Sequence, residues 1–232
     1  IKPDITAPGV QILAAYTPEL ATGGGQLYDY LSGTSMSGPH IAGLGALIKE
    51  ARPEFSPAQI KSALMTSARQ DVVKENGETP ADPFDFGAGH VDPNKAVSPG
   101  LTYDADVLDY IVASCGTVSP LVDPATCAFI ESDPESFGST DPADLNLPSI
   151  GMDSIPGVKT VTRTVTAAGK YRRPGVESKS RARYEAVVDA PPGFNVEVVP
   201  SQFSLRPGET ATYEVTVTSD GAAPNEWSFG AL

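Results

Sequence analysis

The apolar residues of the chain follow two rhythms, three and four apart between residues 36 and 68 and every second residue after 145. The first rhythm predicts a helix over 36–51, MSGPHIAGLGALIKEA, with Pro39 in its first turn, where proline is tolerated. Ala42, Gly43, Gly45 and Ala46 leave this helix small on several faces. Glycine costs helix stability, so the expected gain is close packing on more than one side, as a buried central helix. A second helix starts at Ser56 as N-cap, with Pro57 at the first helical position and Gln59 completing a capping box. Its apolar stripe is Ile60, Ala63, Leu64 and Ser67 or Ala68. Ahead of these helices, 5–15 reads as an irregular stretch entering a short strand at Val10, Ile12 and Leu13. A glycine-rich loop follows at 22–25, then a short extended piece at 28–32.

The second rhythm predicts strands. Segments 159–167, 184–190, 194–200 and 211–219 alternate or are β-branched, and Pro191-Pro192-Gly193 and Arg206-Pro207-Gly208 punctuate them. Short strands with regular turn signals predict a β-sandwich. Between the two textures, 84–103 is rich in turns, with Asp92-Pro93 as the cap and first residue of a short helix, and 106–114 reads as another helix. Glu131, Asp133, Glu135, Asp141 and Asp144 occupy a stretch with no basic residue, broken by Pro134 and Pro142, which reads as an acidic surface linker over 131–144. The segment 170–183 collects Lys170, Arg172, Arg173, Lys179, Arg181 and Arg183, six of the chain's 16 basic residues, and is expected as a solvated hairpin loop.

A chain of 232 residues is one large domain or two small ones. Its net charge of −13 repels phosphate backbones and argues against a nucleic-acid partner. No apolar run approaches the roughly 18 residues of a membrane span, so no membrane partner is expected. The first residue is Ile1 and no leader-like segment follows, so a piece of a longer protein is expected. Cys115 and Cys127 are too few for a structural zinc site and have no histidine nearby, so no metal is expected. They form a disulfide if the protein is exported and are two buried thiols otherwise.

The segment 32–40, SGTSMSGPH, places small polar residues between glycines at a strand-to-helix transition. Such a turn exposes a hydroxyl, and the helix N-terminus behind it suits a developing oxyanion. Ser35 is therefore a candidate nucleophile, although serine at a helix start is usually a cap. The elbow of α/β-hydrolases needs glycine two residues to either side, and Ser35 has Gly33 before it but Ser37 after it. A base is harder to find. His40 lies five residues on, about 500° around and about 7.5 Å along a helix, so the two side chains diverge. His40 and His90 both read as structural.

The run Gly33-Thr34-Ser35-Met36-Ser37-Gly38-Pro39-His40-Ile41-Ala42-Gly43 resembles the serine signature of subtilisin-like proteases, and Lys2-Pro3-Asp4-Ile5-Thr6-Ala7-Pro8-Gly9 is similar to the segment preceding it in that family. The likeness continues through SPAQIKSALMTSA (56–68), FDFGAGHVDPNKAVSPGLTYD (84–104), DLNLPSI (144–150) and TVTRTV (160–165). This resembles the cucumisin-like branch, in which a fibronectin type III-like sandwich follows the catalytic domain. The resemblance implies an α/β fold, part of a doubly wound parallel sheet, over 1–130, a linker over 131–144 and an all-β sandwich over 145–232. It implies a secreted Ser-His-Asp endopeptidase acting on proteins or peptides without a cofactor. Ser35 would be the nucleophile and its N–H half of the oxyanion hole. Gly33, Thr34 and Met36 would line the substrate site, and Pro39 and His40 would be structural. The catalytic Asp, His and oxyanion Asn precede this region in the family, so a missing N-terminal part of the same chain is the expected partner. Residues 227–232 look like the start of a last strand pair. A non-catalytic relative that binds rather than cleaves remains open, whereas an adhesion or carbohydrate-binding module would rest on the sandwich alone and the intact Gly-Thr-Ser signature argues against it.

Overall fold

The computed structural model describes residues 2–170 and 180–232. In chain order it contains β1 (Ile12–Ala15), α1 (Leu20–Gly23), β2 (Tyr28–Leu31), α2 (Thr34–Ala51), α3 (Pro57–Thr66), α4 (Pro83–Phe86), α5 (Pro93–Ala96), β3 (Gly100–Tyr103) and α6 (Val107–Ser114). After these come α7 (Pro124–Ser132), α8 (Pro134–Phe137), a 3-10 turn (Pro142–Asp144), β4 (Val158–Gly169), β5 (Ala182–Glu185), β6 (Phe194–Val199), β7 (Gln202–Leu205) and β8 (Thr210–Ser219).

Side-chain caps start most of the helices. Ser56 Oγ accepts from the Gln59 N–H and Gln59 Oε1 accepts from the Ser56 N–H, both at 3.0 Å, which closes the expected box on α3. The chain has five Asp-Pro pairs, and each starts a helix or helical turn. The carboxylates of Asp82, Asp92, Asp123, Asp133 and Asp141 accept from backbone N–H groups one or two residues beyond the proline. Each such cap contributes about 1 kcal/mol, and the proline costs nothing at a position with no N–H partner. The acidic stretch 131–144 is therefore not a plain linker. It is mostly short helical turns, and Ala143 at its end is buried in the sandwich core.

Helix α2 begins at Thr34, two residues earlier than its pattern predicts, so Pro39 is its sixth residue and lies beyond the first turn. Its covering is also thinner than expected. Ile41, Leu44, Gly45 and Ile48 face the neighbouring chain, with only Ile48 fully buried. Ala42, Gly43 and Ala46 are exposed and Leu47 is 60% exposed. A Cβ added at Gly43 would meet nothing within 4 Å, whereas one at Gly45 would lie 3.9 Å from Ile60. Among the described residues, this helix packs on one side. Ile48, Phe55, Ala63, Leu64, Val91 and Ala96 form the core beneath it, with Ile41 and Leu44 against them. Of the expected parallel sheet, the described residues contain one parallel bridge, Thr6 with His90.

The C-terminal half carries a four-stranded antiparallel sheet in the order β3-β4-β8-β6 and a two-stranded sheet of β5 and β7. Val161, Arg163 and Val165 of β4 lie opposite Val215, Tyr213 and Ala211 of β8. The alternation sends Val161, Val165, Tyr213, Val215, Val217 and Val198 inward, and Phe203, Ala186 and Val188 pack against them from the other side. Threonines 160, 162, 164, 212 and 218 face solvent. Strands β3 and β7 were not expected from the pattern. Strand β3 belongs to the sheet of the sandwich although it precedes residue 131. Residues 171–179 of the expected basic loop lie outside the described residues. Arg181 and Arg183 are held on the strand edge, Arg181 by Ser204 O at 2.7 Å and Glu209 at 3.2 Å, Arg183 by Gln202 at 2.5 Å. At the C-terminal end, Ala231 exchanges hydrogen bonds with Asp189, and Trp227 and Phe229 pack edge-on against Phe84 of α4.

Arg163 is 2% exposed and has no carboxylate within ion-pair distance among the described residues. Backbone carbonyls take its place, Leu147 O at 3.0 Å, Thr162 O at 2.8 Å and Ala143 O at 2.8 Å. Burial lowers its pKa, but a guanidinium stays protonated in proteins. The group thus fastens 143–149 to the inner face of β4. Arg163→Met takes the donor from the buried Ala143 carbonyl and from the part-buried carbonyls of Leu147 and Thr162, and the expected loss is roughly 3 kcal/mol. Urea unfolding checks this, and a midpoint equal to the parent's would contradict it.

Cys115, the C-cap of α6, and Cys127 of α7 are joined by a disulfide with Cα atoms 5.4 Å apart. The loop they close is short, so the bond contributes about 3 kcal/mol at most. The variant with both cysteines changed to serine is expected to lose stability by up to that amount, and under reducing conditions it and the parent should unfold at the same denaturant concentration.

Candidate functional site

Ser35 owes its position to a close meeting of two glycines. The Gly33 N–H donates to Gly9 O at 2.7 Å. A Cβ at Gly9 would fall 2.9 Å from Gly33 O and 3.2 Å from Ser37 Cβ, so only glycine fits there. Gly33 has φ +152° and ψ 171°, a region essentially restricted to glycine. The Ser32 hydroxyl accepts from the Gln11 N–H at 2.9 Å and holds the end of β2 to the β1 side of the hairpin. The chain then turns straight into α2.

This helix start carries no side-chain cap. Gly33 O accepts from Met36 N–H at 3.0 Å and Ser37 N–H at 3.3 Å, while the N–H groups of Thr34 and Ser35 have no acceptor among the described residues. Ser35 is exposed, and its hydroxyl has no partner among the described residues. Two unpaired amides at the positive end of an 18-residue helix form a ready acceptor site for negative charge, directly beside a hydroxyl. Pro39 lies in the second turn. It has no N–H to give the carbonyl of Ser35, four residues back.

Other candidate residues are placed less directly. Thr34 is exposed and its carbonyl accepts from Ser37 Oγ at 3.1 Å. Met36 is half-buried and Pro39 exposed. His40 does not meet Ser35. Its Nδ1 sits 2.8 Å from Met36 O, one turn back on the same helix. His90 Nδ1 lies 3.2 Å from Val91 O, and its backbone pairs with Arg69. Among the described residues, Ser35 thus has a surface for an oxyanion and no base. Asp4 lies in the segment packed behind this region. Partial burial raises its carboxyl, but Lys2 and Lys61, the latter at 2.9 Å, more than offset that and hold it below the ordinary range. No group of three or more histidine, cysteine or acidic side chains suited to a metal occurs among the described residues.

Gly9 and Gln11 were not singled out as site residues by sequence pattern. Gly9 shows itself only through the backbone it meets at Gly33. Gln11 has φ +52°, and no property of glutamine announces it.

Residues 1–89 match the subtilase family model and residues 144–232 match a fibronectin type-III domain. All of this chain aligns with a CO(2)-response secreted protease of Arabidopsis thaliana at 38% identity, covering 31% of that protein. It aligns over its full length with subtilisin-like protease SBT2.5 of the same plant at 35% identity and 29% of that protein. Subtilisin-like protease SBT3 of Solanum lycopersicum gives 38% identity and 32% coverage. The chain spans about a third of the length of these relatives. With the turn around Gly33, the uncapped helix start beside Ser35 and the β-sandwich that follows, the matches assign residues 1–89 to the subtilase family and residues 144–232 to a fibronectin type-III domain.

Proposed function

We propose that Ser35 is the nucleophile of a secreted serine endopeptidase to which this chain contributes its nucleophile helix and its fibronectin type-III sandwich. The observation that carries the reading is the exposed Ser35 hydroxyl beside two unpaired amides at the uncapped start of α2. The hydroxyl attacks the carbonyl carbon of a scissile peptide bond while a base takes its proton. The carbonyl oxygen, now negative, is held by the Ser35 N–H. The serine ester then forms as the amine leaves with a proton from the same base, and water reverses the sequence. Gly33, Thr34 and Met36 flank the position of the scissile bond, and Pro39 and His40 keep the helix start in shape.

The base, the Asp that orients it and the Asn that completes the oxyanion site belong, by resemblance, to chain preceding this stretch. The relatives are about three times as long, and the outer face of α2 is open at Ala42, Gly43 and Leu47, which leaves room for more chain to pack there. Secretion is supported by the name of the Arabidopsis relative and by the disulfide, which belongs to oxidising compartments.

In the full-length protein, a fluorophosphonate is expected to label Ser35, and labelling should vanish in Ser35→Ala. Label retained in that variant, mapped by peptide mass, would overturn the assignment. The 232-residue chain by itself is expected to show no turnover of casein, because an unactivated hydroxyl is a poor nucleophile. Turnover that disappears with Ser35→Ala would instead place a base within this chain.

A further inference from the structure

Among the described residues, two guanidinium groups are buried. Arg163 works inside the sandwich. Arg52 sits between the two halves, 7% exposed, at the C-cap of the helix whose first turn carries Ser35. Its Nη2 donates to Ala168 O, and its Nη1 to Val97 O at 3.1 Å and Gly169 O at 3.5 Å. Its Nε donates to Glu54 at 2.6 Å, and the group stacks 4.2 Å over the Phe55 ring. Ala168 and Gly169 are the last residues of β4, one of the two inner strands of the sandwich sheet. Ala168 also packs into the core beneath α2. One side chain therefore joins the end of the nucleophile helix to the end of a fibronectin type-III strand.

The acceptors on the sandwich side are fixed. Strand β3 pairs with β4 on one edge, and on the other the Tyr103 N–H donates to the buried Ser62 Oγ of α3 at 2.9 Å. Phe84 packed by Trp227 and Phe229 is a second tie between the halves. The helix itself is held less firmly. It is covered on one side, and its near end is fixed through the backbone contact of Gly33 with Gly9. An 18-residue helix is about 27 Å long, so a tilt of about 2° moves one end by about 1 Å relative to the other. A displacement of that size at a reacting atom can cost about a hundredfold in rate.

We propose that Arg52 is a positioning residue, through which the fibronectin type-III sheet fixes the axis of α2 and so the placement of the Ser35 hydroxyl. This rests on the reading of Ser35 as nucleophile. Arginine suits the task because its planar fork reaches several carbonyls at once while stacking on Phe55, which a lysine ammonium cannot reproduce.

The test uses the full-length protease and Arg52→Met, with Arg52→Lys as the conservative variant, assayed well below their unfolding temperatures. Arg52→Met is expected to lower kcat about tenfold with KM within about twofold, and to slow fluorophosphonate labelling of Ser35 in proportion. Arg52→Lys should recover part of both. Amide hydrogen exchange in residues 40–44 of α2 should quicken in Arg52→Met, while that of β8 stays at the wild-type rate. If Arg52→Met does not fold, Arg52→Gln, with two neutral donors, takes its place under the same criteria. A folded variant with wild-type kcat and wild-type exchange in α2 would overturn the proposal. Absence of label on wild-type Ser35 would overturn the nucleophile reading instead, and the exchange comparison would still decide whether Arg52 fixes the helix.

Discussion

Strand β3 is bonded along both of its edges, and the relation between the two halves of the chain depends on it. Its Thr102 is almost completely buried, its Tyr103 N–H is taken by Ser62 of α3, and its other edge forms a ladder with β4. A backbone N–H removed from water must find a partner, and β3 finds its partners in two different cores. Helix layer and sandwich therefore cannot shift past one another without breaking a strand ladder or stranding Ser62, a buried hydroxyl. The similarity boundary at residue 144 does not coincide with a folding boundary. A sandwich cut there would leave the edge of β4 unpaired, the situation natural sheets avoid because open edges recruit other chains.

The helix layer shows a contrast that bears on chemistry. Helices α3 to α8 all begin with a side chain bonded to their first amides. Helix α2, the longest, begins with a glycine whose conformation excludes any other residue and which supplies no side chain. Leaving those donors unpaired costs stability that a serine or aspartate at position 33 would normally recover. A site that binds charge only as the reaction proceeds needs donors in this unfilled state.

Much of the fold was legible where a signal was local and complete. The capping box at Ser56 and the alternation of β4 and β8 specify their elements without outside help. Strands β3 and β7 were missed because four residues between turn signals, GLTY and QFSL, carry too little periodicity, and their partners alone make them strands. Only one of the five Asp-Pro pairs was read as a helix start, since the helices that follow are mostly a single turn and have no periodicity of their own. The exposure of α2 could not be read, because small residues fit a crowded neighbour and an open surface equally well. For the site, the residues alone made Ser35 a candidate and helix geometry turned His40 away from it, and Met36 O holding His40 is the physical form of that divergence. Gly9 escaped because a close approach of backbones leaves its mark only on the pair, never on one sequence window.

The five Asp-Pro starts have a chemical consequence beyond capping. An aspartyl-prolyl bond is the peptide bond most readily cut by mild acid, because the neighbouring carboxyl group attacks its own carbonyl carbon and the proline nitrogen is a good leaving group. In the folded chain Asp82, Asp92, Asp123, Asp133 and Asp141 each have a carboxylate oxygen engaged by a backbone amide further along the helical turn. Folding thus ties up the attacking group at five scissile points, and unfolding in acid frees them together. All five lie between residues 82 and 142, so the fragments left by acid would be a segment carrying the Ser35 helix, a set of short peptides from the connecting region, and a sandwich largely intact in covalent structure.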